Sequence, residues 1–298
     1  MLHPPTFAVP SGFLGVASGD PAAAVVVAGI PLDLGTTNRA GARDGPQAIR
    51  RASRMLTDGD HPHHWNDPAR GLADIGDFRV ALGDIPASLA AIEQQAAGLR
   101  HLVAFGGEHG ITLPLLRALA KRAGAPLALV HFDAHVDTWP DNFGQPLAHG
   151  SVFYHALAEG LVDPRRMVQV GIRSPVQREV WEWTLAQGVT VLTAAEVHES
   201  TPAAVAARIR AVMGDAPVYL SFDIDALDPA FAPGTGTPEI GGLASWQAQA
   251  ILRRLGGLDF RGADVVEVAP AYDVAEITAL AAATVAWEYL ALLNAGMS

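Results

Sequence analysis

"PLALVHFDAHVD", residues 126–137, begins as an unbroken apolar run and ends in three ionisable side chains spaced two apart, Asp133, His135 and Asp137. A short continuous apolar run reads as a strand buried on both faces, the condition of a parallel sheet covered by helices. Side chains two apart on a strand share a face, so Asp133 and His135 are aimed at one point just past the buried segment. Ligand sites of parallel sheets gather there, beyond the carboxyl ends of the strands, where loops and helix N-termini converge.

The same pattern repeats outward from this stretch. Strands are expected at 24–30, 72–77, 101–107, 126–133, 167–173, 189–192, 217–225 and 262–270, alternating with longer alanine- and leucine-rich stretches. That alternation is the mark of βα units around a mostly parallel sheet. Between them, residues 44–56 start a helix with Asp44 as cap and Pro46 in its first turn, and 111–124 end one at Gly124. Residues 275–296 form a long apolar helix expected to pack on the sheet or on a neighbouring subunit, and 58–71 an irregular surface excursion.

Composition bounds the chemistry. The 298 residues, half of them apolar, suit one large α/β domain over 1–298. Without cysteine there is no disulfide, no thiolate nucleophile and no sulfur metal site, so a metal must be held by histidine and carboxylate. A net charge of −11 without a basic block offers nucleic acid no footprint and favours a small cationic ligand. The N-terminus has no basic-then-apolar leader, and no apolar segment reaches the roughly 20 residues of a membrane span. A soluble cytoplasmic protein with no membrane partner is the expectation.

Three strand ends carry acid or imidazole: His109 after 101–107, Asp133, His135 and Asp137 after 126–133, and Asp223, Asp225 and Asp228 at the end of 217–225. Any one aspartate there reads equally well as a turn cap. Together they would repel and be forced to protonate unless cations sat between them. A pair of divalent metals removes that conflict and acidifies a shared water, which hydrolysis of an unreactive carbon needs. Oxygen and nitrogen ligands without sulfur suit manganese or nickel, less securely zinc or iron.

"FGGEHGITLPLLRA" (105–118), "VHFDAHVDTW" (130–139), "AHGSVFYHALAEGLVDP" (148–164), "YLSFDIDALDPAFAPGTGTPEIGGL" (219–243) and "GADVVEVAPAYDVAEITALAAATVAWE" (262–288) resemble the ureohydrolase superfamily, and among its members bacterial agmatinases most. "GIPLDLGTTNRAGARDGPQAIRRAS" (29–53) is similar to them too, so the resemblance covers nearly the whole chain. It implies a three-layer α/β/α sandwich around about eight parallel strands, assembled as a homotrimer or homohexamer. It further implies that His109, Asp133, Asp137 and Asp223 hold one manganese and that Asp133, His135, Asp223 and Asp225 hold the other. Asp137 would also orient the attacking water and help protonate the leaving amine. By the same resemblance, His149 shuttles protons and Glu267 pairs with the substrate guanidinium. The implied reaction is hydrolysis of agmatine to putrescine and urea, with guanidinobutyrate, guanidinopropionate, guanidine and alkylated guanidines or biguanides such as metformin as alternative substrates. A supporting subunit of a mixed oligomer is the alternative of another class, and nickel the alternative metal. A single-zinc deacetylase of related fold is disfavoured, since no paired-histidine motif stands beside the aspartates.

Glu108 replaces the aspartate expected before His109, where an added methylene would disturb the metal site from behind. The loop after Asp137 lacks the serine and asparagine arrangement with which arginases hold an α-amino acid head, so Trp139, Asp141 and Asn142 are the candidates for the outer pocket, with Asp141 meeting a distal ammonium. His131 reads as a hydrogen-bonded core histidine, and His61, His63 and His64 as a plain surface loop. His101 and His155 show no partner in the sequence, and the glycines of 233–242 shape a tight loop over the site.

Overall fold

All eight expected strands are present in the computed structural model, which describes residues 6, 9 and 11–295. They are β1 (Val25–Ile30), β2 (Leu72–Asp77), β3 (Leu102–Gly106), β4 (Leu127–Phe132), β5 (Val162–Ile172), β6 (Thr190–Thr193), β7 (Val218–Asp223) and β8 (Phe260–Val266). Every pairing is parallel, in the order β2-β1-β3-β8-β7-β4-β5-β6. Strand β5 starts five residues before the expected 167, running through Pro164.

The connecting helices are α1 (Gly45–Ala52), α2 (Ile85–Ala96), α3 (Thr112–Ala123), α4 (Val152–Ala158), α5 (Arg178–Gln187), α6 (Ala194–His198), α7 (Pro202–Met213), α8 (Ser245–Leu252) and α9 (Ile277–Ala295). Alternation along the strands feeds two cores. Leu127 and Leu129 of β4 pack with α2, α3 and α4, whereas Ala128, Val130 and Phe132 pack with α1, α7, α8 and α9. Helices thus cover both faces, giving the three-layer α/β/α arrangement.

Local signals were honoured unevenly. Gly124 closes α3 in the left-handed conformation (φ 67°) expected of a terminating glycine. Asp44 precedes α1, but its side chain makes no capping bond. Helix α9, at 19 residues, is long and apolar enough to cross a membrane by length and composition, contrary to the expectation that no segment is. It is instead a mostly buried core helix.

Residues 58–71 form irregular loop, but the histidine-rich part is not plain surface. His61 is fully buried, its ring tilted against that of Trp287 with centroids 4.2 Å apart, with Nε2 3.0 Å from Glu288 of α9, whose carboxylate also takes Arg253. The loop is therefore stapled to α9 by a buried charged group, while His63 stays exposed. His101 and His155 also find partners, the hydroxyl of Tyr289 (2.8 Å) and the carbonyl of Pro146 (2.7 Å).

Candidate metal centre and active-site cleft

Strand order brings the chemistry together. Strands β3, β8, β7 and β4 are consecutive in the sheet, so the residues following them share one edge. Gly107 lets β3 end tightly against β1: a Cβ there would lie 2.1 Å from the Leu32 carbonyl oxygen. His109 follows in a short 3-10 turn leading into α3.

His109 Nδ1 stands 3.2 Å from Asp133 Oδ2, 2.9 Å from Asp137 Oδ2 and 3.3 Å from Asp223 Oδ2. His135 Nδ1 stands 3.2 Å from Asp133 Oδ1 and 3.1 Å from Asp225 Oδ2. All six expected ligand residues thus meet in two overlapping groups that share Asp133. Asp137 holds its place with φ at 49°, and Glu267 does so with φ at 65°, a left-handed backbone that costs energy in residues with a Cβ and concentrates at functional sites. Burial, then the neighbouring Asp225 and Asp133, push Asp223 well above the usual carboxylate range. Burial and the same crowding raise Asp225. This is the electrostatic conflict that cations would relieve.

Hydrogen bonding behind the cluster tests whether the residues fit a metal. Gln169, His131, Ser221 and Asp264 lie on one register row across β5, β4, β7 and β8. Ser221 Oγ donates to Asp264 Oδ1 (2.7 Å), so it can only accept from His109 Nε2 (2.9 Å). That places a proton on Nε2, so Nδ1, which faces three carboxylates, is the nitrogen the ring would offer to a metal. Nδ1 is buried with no hydrogen-bond partner despite those short distances. A ring nitrogen and three carboxylate oxygens around one point make a donor set that suits a divalent cation. His131 is different. Its Nδ1 accepts a hydrogen bond from Gln169 Nε2–H (3.1 Å), so its Nε2–H donates to Asp133 Oδ2 (2.7 Å), and it orients a ligand rather than binding as one.

The relay carries a prediction. Ser221→Ala should weaken metal binding about 10- to 100-fold by freeing the His109 tautomer, with the fold intact. Metal titration followed by calorimetry checks it, and unchanged affinity would show that Ser221 does not hold the ring.

Above the cluster lies a cleft of about 700 Å³ lined by Trp139, Asp141, Asn142, His149, Asp137 and Glu239, among others. The expected outer-pocket residues all border it, but Asp141 is exposed and uses Oδ1 to receive Gly144 N–H (2.8 Å). Trp139 Nε1 donates to Gln177 Oε1 at 2.6 Å. Asp228 makes none of the cluster's contacts; its Oδ2 receives the backbone N–H groups of Gly241 and Gly242. A larger recess of about 820 Å³ lies elsewhere; of its four arginines, Arg43 pairs with Asp33, Arg50 with Asp74 and Asp77, and Arg51 with Glu276, while Arg54 Nε is buried without a hydrogen-bond partner.

Glu267 is almost fully buried; its Oε1 receives His109 N–H (2.8 Å) and lies 3.2 Å from His149 Nδ1, while Oε2 has no partner. Burial and the Glu267 charge push Glu108 up to about 7, and its Oε2 receives Gly35 N–H (2.6 Å). Glu108 therefore braces the loop after β1 and does not bear on the metal cluster from behind. Among the cleft residues that the sequence did not mark are Glu239, whose Oε1 receives Ser174 Oγ–H (3.0 Å) and sits 3.9 Å from His135 Nε2, and Thr37. Neither stands at a strand end, which was the signal used.

A family model described as the arginase family matches residues 23–291. The agmatinase of Chromobacterium violaceum is 50% identical over 278 residues, covering 91% of this chain and 84% of that one. An agmatinase of Escherichia coli is 48% identical over 272 residues, covering 89% and 86%. Among solved structures, a hypothetical agmatinase from Burkholderia thailandensis superposes with a TM-score of 0.91 at 47% identity, covering 97% and 92%. The proclavaminate amidino hydrolase of Streptomyces clavuligerus gives 0.90 at 38%, covering 97% and 100%.

Proposed function

Because the chain belongs to the arginase family, we propose that it is a metal-dependent amidinohydrolase whose substrate is agmatine, cleaved to putrescine and urea. The observation that carries this reading is the meeting of the six ligand residues with the buried, unpartnered Oε2 of Glu267. His109, Asp133, Asp137 and Asp223 would hold one divalent cation, and Asp133, His135, Asp223 and Asp225 the second. When bound, the pair would neutralise the carboxylates and acidify a water for attack on the guanidinium carbon.

The chain's own groups account for the rest. Glu267 Oε2 lacks a donor, and a guanidinium offers planar N–H donors and a positive charge that match it. Pairing there fixes the guanidinium carbon beside the cluster and localises charge on the nitrogens away from attack. Asp137 orients the water and takes its proton, and His149 supplies a proton to the departing amine. Asp141 is the proposed contact for the distal ammonium, with Trp139 and Asn142 lining the path to it. Manganese is the proposed metal, nickel the alternative. The reading includes one domain over 1–298, a cytoplasmic location, and a homotrimer or homohexamer, with a related partner subunit as the alternative assembly.

The structural likeness to an amidino hydrolase of proclavaminate keeps another guanidino substrate as the second reading. Urea release from agmatine, guanidinobutyrate, guanidinopropionate, arginine, guanidine and a dimethylated biguanide, each with manganese or nickel, separates the two. Turnover of agmatine well above the others is expected. Preference for another guanidine would keep the chemistry and replace the substrate, and silence on all of them with both metals bound would overturn the enzyme reading in favour of a supporting subunit.

A further inference from the structure

The loop after β1 forms one wall of the cleft and is held at both ends. Glu108 Oε2 receives Gly35 N–H (2.6 Å) and Thr36 Oγ1–H (3.3 Å), while Asn38 Nδ2 and Arg39 N–H donate to the Gly236 carbonyl (2.9 and 3.4 Å). Packing leaves the loop little room, since a Cβ on Gly35 would lie 2.8 Å from Glu108 Oε1 and 3.0 Å from Ala148 Cα. Between those anchors, Thr37 presents two groups to one atom. Its Oγ1 lies 2.8 Å and its backbone N 3.3 Å from His149 Nε2.

The two groups are not equivalent. A backbone N–H can only donate, so it serves His149 when Nε2 carries a lone pair and repels it when Nε2 carries a proton. A hydroxyl can do either. On the other side of the ring, Nδ1 faces Glu267 Oε1 (3.2 Å), which can accept from it whether or not Nε2 is protonated. We propose that the Thr37 hydroxyl is the positioning group for His149, donating to Nε2 when the ring is neutral and accepting from it when the ring is charged, so that the ring keeps one orientation through a proton transfer. The inference rests on the proton-carrying role given to His149 above.

The test compares Thr37→Val, which keeps shape and backbone but removes the hydroxyl, with Thr37→Ser, which restores it, and Thr37→Ala should the valine variant not fold. Because a displacement of about 1 Å can cost about 100-fold in rate, Thr37→Val is expected to lower kcat roughly 10- to 100-fold. KM and metal content should stay near those of the parent, and Thr37→Ser should recover most of kcat. A crystal structure of Thr37→Val should show the His149 ring turned or spread over two orientations, a readout that does not depend on turnover. A rise in KM with unchanged kcat would make the hydroxyl a substrate contact and overturn the proposal. So would equal loss in the valine and serine variants, or a ring that stays in place without the hydroxyl. An inactive parent protein with an ordered ring that turns in the valine variant would instead count against the enzyme reading alone.

Discussion

Glu267→Gln is expected to retain metal binding and lose about 30- to 5000-fold in kcat/KM on agmatine. The amide has the size of the carboxylate, and its oxygen can still receive His109 N–H, which Glu267 Oε1 receives at 2.8 Å. The backbone at this point, φ 65°, is as accessible to glutamine as to glutamate. What changes is Oε2. That atom is buried without a partner, and in the variant it becomes an NH₂ group that would face the substrate's own donors. Removing one partner of a buried charge pair costs about 2–5 kcal/mol or more. At 1.36 kcal/mol per tenfold, the upper part of that range exceeds 1000-fold. Steady-state kinetics beside metal analysis decide the matter. A loss smaller than tenfold would mean that the guanidinium binds elsewhere.

Asp223→Asn should act in two opposed directions. As the proposed shared ligand, Asp223 meets His109 Nδ1 through Oδ2 (3.3 Å) and Asp225 N–H through Oδ1 (2.8 Å). Losing its charge should weaken metal affinity by about 100- to 1000-fold, in line with the 3–5 kcal/mol of a broken buried ion pair, and activity should fall with it. The metal-free protein, however, loses a source of repulsion. Burial and the adjacent Asp225 and Asp133 hold Asp223 well above the usual carboxylate range, so the ionised form works against the fold at neutral pH. Its folded-state proton affinity exceeds that of the unfolded chain, so the stability linked to this group is present at low pH and is lost as pH rises through the folded value. Asparagine escapes that penalty. The metal-free variant should melt higher than the metal-free parent by at least about 2 °C, while the metal-loaded order reverses. Thermal melts with and without manganese test both halves, and a variant less stable in both states would show that the cluster is not a charge conflict resolved by metal.

Strand parity accounts for how much of the site was readable. Asp133 and His135 converge because residues two apart share a face, and the same rule applies to Asp223 and Asp225. Each lies at the end of an apolar run, so the sequence marks both its depth and its direction. The capping role of Asp44 failed for a local reason: a cap requires a particular side-chain rotamer, which residue type does not guarantee, and here no capping bond forms. His61 was misread because a polar histidine-rich string resembles a solvated loop. Its burial depends on Glu288, 227 residues later, and on Arg253.

Glu108 shows the same limit at the site itself. Its neighbour in sequence is His109, which suggested a bearing on the metals, yet its carboxylate reaches the loop of Gly35 and Thr36. Adjacent residues leaving a strand point in different directions, so proximity in the chain says little about shared chemistry.

By itself, the sequence determined the fold class, the eight strands, the exclusion of sulfur chemistry and the acidic and imidazole groups at the strand ends. These follow from composition and from short-range periodicity, which are properties of neighbouring residues. Only the tertiary structure decided the strand order that sets β8 and β7 between β3 and β4, the row of Gln169, His131, Ser221 and Asp264 behind the cluster, and the loop that brings Thr37 to His149. The physical reason is that these contacts join residues between 38 and 160 positions apart, through parallel pairing and packing on two cores, and no local pattern encodes which distant strand will lie alongside.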